Sequence, residues 1–163
     1  MIESALETLP RGLPDDPSSH FPLSTQLRVR WSEVDAQQVV FNGHYLMYAD
    51  ICFTEYFRAA GIEQWSGDEL NRPDAAEKTL DNFVVQASLT YRSPARFDDL
   101  LTLKGRILRL GTSSFTFKCR MQRGETLLCT VETVSVNAHA GVAKPLPAAF
   151  REAVLAFESG TST

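Results

Sequence analysis

The stretch His44-Tyr-Leu-Met-Tyr-Ala-Asp50-Ile-Cys-Phe-Thr-Glu55-Tyr-Phe-Arg-Ala-Ala60-Gly61 reads as a single helix, stopped by its terminal glycine. At about 100° per residue, its polar members His44, Asp50, Thr54, Glu55 and Arg58 fall within an arc of roughly 140°. Tyr45, Tyr48, Ala49, Cys52, Phe53, Tyr56, Phe57, Ala59 and Ala60 cover the rest. So wide an apolar surface predicts a helix enclosed on most sides rather than one laid on a core.

The residues that follow supply the enclosure. Phe83, Val85, Ala87, Leu89 and Tyr91 alternate with polar or smaller neighbours, as a strand requires. Further strands are predicted from Leu100 to Arg109, from Ser113 to Gln122, and from Thr126 to Asn137, the last with a bulge. Gly111 and Gly124 stand where tight turns between antiparallel strands need them. Four consecutive strands with short connections predict an antiparallel meander. Pro147 opens a short closing helix, Ala148 to Glu158. Upstream, Leu27, Val29 and Trp31 alternate with Arg28, Arg30 and Ser32, giving a half-buried strand over Gln26–Ser32.

The pattern is α+β, a curved antiparallel sheet wrapped around one long central helix. We expect a flexible proline-rich lead-in over 1–24, one domain over 25–158 and a short tail over 159–163. The span from Glu63 to Asn82 fits no element, and loops of that length are usually functional or mobile.

Composition narrows the partners. A net charge of −4 with no basic run argues against nucleic acid. No stretch approaches the roughly 18 uncharged apolar residues of a membrane span, and the first residues lack the character of a secretory signal. Cys52, Cys119 and Cys129 have no metal-ligand spacing and read as small buried hydrophobes, so no metal is expected and a reducing cytoplasm is the default compartment.

The candidate chemistry lies in the link Asp35-Ala-Gln-Gln-Val-Val-Phe-Asn42-Gly43-His44-Tyr45. It places a carboxylate just before a helix whose first N–H groups lack intrahelical partners and carry the positive end of the helix dipole. A base or nucleophile beside such an anion site is what hydrolysis of an ester or thioester needs. On spacing alone, Asp35 as a simple turn cap is the better reading. Asn42 and Gly43 suit a helix start, and Gly43 lets a ligand approach the backbone closely.

Arg30-Trp31-Ser32-Glu33-Val34-Asp35, followed by Val40, Tyr45, Tyr48, Asp50 and Glu55, resembles the opening motif of the 4-hydroxybenzoyl-CoA thioesterase family. Leu89-Thr90-Tyr91-Arg92-Ser93-Pro94-Ala95-Arg96-Phe97-Asp98-Asp99-Leu100 resembles its second signature, and the remaining spacing and Pro145-Leu146-Pro147 also fit, over about residues 25–158. The resemblance implies a hot-dog fold and hydrolysis of a small aromatic or aliphatic acyl-CoA. It implies that Asp35 acts as nucleophile or general base, and that backbone donors near Asn42 and Gly43, with His44 and Tyr45 close by, hold the carbonyl oxygen. It further implies a site at the interface of a homodimer or homotetramer, with coenzyme A only as part of the substrate and no separate cofactor. Many relatives carry Gly three residues after the Asp, where this chain has Gln38.

Other readings compete. His44 invites a hydratase or dehydratase mechanism, although no partner acid is marked for it. A non-catalytic acyl-CoA-binding module or release of acyl groups from a carrier protein would use the same fold. Asp50 and Glu55 offer alternative carboxylates, with Glu55 set to pair with Arg58 at i,i+3. Arg92 and Arg96 are the expected phosphate contacts, because Arg grips phosphate with paired hydrogen bonds. Lys104, Arg106, Lys118 and Arg120 offer a second basic set on the expected outer face, for which a plain solvated polar face is the better reading. His20 and His139 receive no role.

Overall fold

The computed structural model describes residues 20–62 and 80–160. Most of the lead-in, nearly all of the long loop after the helix, and the last residues of the tail lie outside the described residues.

The elements run β1 (Leu23–Arg28), a single 3-10 turn (Trp31–Glu33), α1 (His44–Ala59), β2 (Asn82–Tyr91), β3 (Leu100–Leu110), β4 (Ser114–Arg123), β5 (Thr126–His139), β6 (Val142–Ala143) and α2 (Ala148–Glu158). One six-stranded sheet has the order β1-β3-β4-β5-β2, with β6 also on β5, and every pairing is antiparallel. The α+β hot-dog arrangement is thus present, with α1 against the sheet.

Apolar periodicity explains the packing. Tyr48, Cys52 and Tyr56 on α1 are fully buried against Leu103, Ile107, Phe117 and Cys119 of the sheet. At Gly105 the helix comes so close that a Cβ would stand 2.9 Å from both Cys52 Sγ and Phe117 Cζ. Helix and strand meet there only because the side chain is absent. All three cysteines are buried and free, as their contexts suggested. Burial, with Cys52 as immediate neighbour, raises the Cys119 thiol well above its ordinary pKa.

Four expectations need correcting. The meander holds for β3-β4-β5, but β2 pairs with β5 at the opposite edge instead of with β3. Its connection, residues 92–99, carries Pro94, buries Ala95 and turns through Asp98 at a φ of 66°, a path unlike a tight hairpin. The first strand starts earlier, at Leu23, inside the segment read as lead-in. It also stops earlier: Glu33 accepts a hydrogen bond from the Arg30 amide (2.8 Å), the chain turns, and Trp31 is left 73% exposed. Thirdly, α1 is not enclosed on most sides within one chain, since Leu46 and Met47 are exposed beside an equally exposed β2. The expected bulge in β5 is present, where the register with β4 skips Leu128.

Arg106 is the fourth correction. It belongs to no outer basic patch but is buried, facing Glu158 of α2 at 3.5 Å and donating to the His20 carbonyl at 3.1 Å. Of that set, Lys118 pairs with Glu132 and Arg120 lies over the Phe21 ring.

Candidate active site

Three backbone bonds shape the Asp35 loop. Val34 and Val40 form an isolated antiparallel bridge, the Asp35 amide donates to the Val39 carbonyl (2.9 Å), and the Gln38 amide donates to the Asp35 carbonyl (2.9 Å). The turn requires a φ of 61° at Gln38, a left-handed conformation that glycine adopts without penalty. That is a physical reason for glycine at this point in relatives. The Gln38 side chain is exposed and lines no described cavity. The half-buried Asp35 carboxylate accepts the Gln37 amide through Oδ1 at 2.8 Å, which leaves its second oxygen without an intramolecular donor among the described residues.

What fixes this loop on α1 is Glu33, which stands within the opening motif but receives no role from sequence alone. It is buried, and its Oε2 accepts the Tyr48 hydroxyl at 2.7 Å while Oε1 meets Arg30 Nε at 3.2 Å. Burial and the Glu33 carboxylate both drive the Tyr48 pKa upward, so the phenol stays protonated and keeps donating. A carboxylate followed 15 residues later by a buried tyrosine gives no periodic signal, so only the resemblance pointed near it.

The start of α1 divides two cavities. One, of about 470 Å³, runs under the helix and is lined by Gly43, Leu46, Asp50, Phe53 and Phe117, with Val84 of β2 at its margin. The other, of about 270 Å³, gathers Asn42, Tyr45, Tyr91 and Arg92. The Asn42 carbonyl accepts the Tyr91 hydroxyl at 3.0 Å on the side of the smaller cavity. In a trans peptide the carbonyl and the following N–H point in opposite directions. The Gly43 N–H therefore points away from the Tyr91 hydroxyl, and among the described residues neither it nor the Asn42 N–H has an acceptor.

Of the predicted site residues, Asn42, Tyr45 and Arg92 share one cavity and Gly43 lines the other, whereas Asp35 lines neither. Tyr45 is buried, and its hydroxyl accepts the Ala95 amide at 2.9 Å; burial raises its pKa, which suits a neutral wall residue. His44 is partly buried, stands edge-on to Phe41 at 6.2 Å, and has no hydrogen-bond partner at Nδ1. Among the described residues no carboxylate is bonded to it. Arg96 is exposed, its amide capped by Asp99 (2.8 Å). Glu55 pairs with Arg58, as its spacing suggested. Among the described residues no three His, Cys, Asp or Glu side chains converge as a metal centre would require, and no described helix is long and apolar enough to cross a membrane.

A curved antiparallel sheet against one long helix is the hot-dog fold. Comparison with known proteins agrees. The sequence profile of the Thioesterase superfamily matches residues 37–130, and the chain belongs to that family, a thioester hydrolase by class. It is 29% identical over 133 residues to the acyl-CoA thioesterase YbgC of Haemophilus influenzae, spanning 82% of this chain and 91% of that protein. Among solved structures it is similar to a probable thioesterase from Bartonella henselae, at 26% identity and a TM-score of 0.63 over 77% of this chain and 97% of the other. A thioesterase from Thermus thermophilus, complexed with coenzyme A and Zn, superposes with a TM-score of 0.68 at 22% identity, over 85% of this chain and 95% of the other.

Proposed function

We propose that this chain hydrolyses acyl-CoA thioesters, with Asp35 as the catalytic carboxylate and the Gly43 and Asn42 amides as donors to the thioester oxygen. The observation that carries the reading is the peptide between Asn42 and Gly43. Tyr91 anchors its carbonyl, its amide has no acceptor among the described residues, and the cavities that Asn42 and Gly43 line offer space for the two ends of a thioester. Acyl group in the larger cavity and pantetheine arm past Tyr45 and Arg92 is the orientation we infer, with Arg92 and Arg96 toward the phosphates.

In this arrangement the carbonyl oxygen gains negative charge where two unpaired amides and the helix dipole await it. By one route Asp35 attacks the carbonyl carbon, the coenzyme A thiolate departs and water then cleaves the acyl–Asp35 anhydride. By the other, Asp35 takes a proton from a water that attacks the carbonyl carbon, and the proton passes to the departing thiolate. Asp35 lines neither cavity of its own chain, so we place the complete site between two copies joined along β2. That edge exposes Phe83, Val84 and Val85 beside Leu46 and Met47 of α1, an apolar surface suited to a twin copy. No resident cofactor is invoked, and three unpaired thiols fit a reducing cytoplasm. A hydratase centred on His44 lacks, among the described residues, the acid it would need.

The test is free-thiol release from short, long and aromatic acyl-CoAs by wild type and Asp35→Asn. We expect kcat to fall by about 10²–10⁴ in the variant, with its circular dichroism spectrum retained. A folded Asp35→Asn protein with wild-type turnover refutes the role of Asp35.

A further inference from the structure

The larger cavity has one charged wall. Leu46, Ile51, Phe53 and Phe117 make it apolar, Thr133 and Ser135 add hydroxyls, and Asp50 is the single ionisable residue among the described ones that line it. None of these is Lys, Arg or His, and Asp50 has no ion pair or hydrogen bond among the described residues. On this same helix the Glu55 carboxylate is matched by Arg58 at i,i+3. Asp50 instead stands unmatched over an apolar space, roughly 10 Å along the helix axis from Gly43.

From this we infer that Asp50 is a selectivity determinant that turns away acyl groups ending in an anion and leaves the cavity to neutral acyl chains. The inference rests on the reading of this cavity as the acyl site. A chain whose thioester sits at Gly43 brings its far end toward Asp50. A terminal carboxylate there meets a like charge, with no cation among the described wall residues to offset it. A methyl or ring terminus meets Leu46, Phe53 and Phe117 and buries apolar surface.

Two substrates of equal length separate the effects: octanoyl-CoA and suberyl-CoA, the eight-carbon acyl group ending in a carboxylate. The quantity to measure is the ratio of kcat/KM for suberyl-CoA over octanoyl-CoA in wild type, Asp50→Asn and Asp50→Lys. The ratio should rise about tenfold or more on removing the charge, and further on reversing it. Because Asp50 is exposed, neither substitution threatens the fold, and the ratio within one enzyme cancels any loss of active protein. A ratio unchanged across the three proteins, in an active wild type, overturns the role of Asp50 alone. Equal collapse on both substrates also overturns it, since Asp50 would then serve turnover. A wild type inert on both substrates takes down the acyl-CoA reading together with the inference.

Discussion

Tyr48 and Glu33 show how a single hydrogen bond conveys helix geometry to the Asp35 loop. The carboxylate is buried, and its donors are the Tyr48 hydroxyl at 2.7 Å and the Arg30 amide and guanidinium. Tyr48→Phe removes one donor and leaves a buried carboxylate oxygen short of a partner, which costs about 1–3 kcal/mol. Urea unfolding of the variant should show that loss. Because Asp35 lies two residues past Glu33, we also expect kcat for acyl-CoA hydrolysis to fall more than KM changes. Stability and kcat both at wild-type values would remove Glu33 from the account.

At the scale of elements, β2 is the strand with unfinished business. It pairs with β5 on one side, its other side is open among the described residues, and most of its residues are exposed. In a two-fold assembly through this edge, each substitution meets its own copy. Phe83→Lys with Val85→Lys therefore sets like charges against each other and should give monomers in sedimentation velocity, where wild type sediments as a dimer or larger. A monomeric wild type at micromolar concentration rules the β2 interface out. The same strand marks the limit of what sequence conveys. Periodicity locates α1, α2 and the strands well, because burial repeats at 3.6 or 2 residues. It says nothing of which strand neighbours which, so chain order alone sets β2 beside β3. Alternation also cannot tell an open outer face from one sealed by a helix, which is why Arg106 reads as surface. Asn42, Gly43, Tyr45 and Arg92 were legible as a motif, whereas Glu33 and Asp50 act through contacts and cavity walls that only the folded chain displays.

For the molecule as a whole, the closing contact between α2 and the sheet is charged. Glu158 is buried and accepts from the Tyr56 hydroxyl (2.8 Å) and the Ile107 amide (2.6 Å), with Arg106 at 3.5 Å. Burial nonetheless holds its carboxyl above the ordinary glutamate pKa, outweighing these partners. The folded chain then keeps a proton that the unfolded chain releases, so this group makes stability fall as pH rises from about 4.3 through the raised folded value. Urea midpoints measured across that range should decline more steeply for wild type than for Glu158→Gln, which has no proton to lose. Parallel profiles would show that Glu158 titrates normally. The open β2 edge has a consequence of another kind. Its amides and carbonyls without partners among the described residues, beside Phe83, Val84 and Val85, are the kind of template on which a foreign extended chain aggregates. If two copies pair through this edge as proposed, a newly made copy is most vulnerable before it finds its twin, and the pairing proposed to complete the site would also guard the protein's solubility, with dilution exposing both at once.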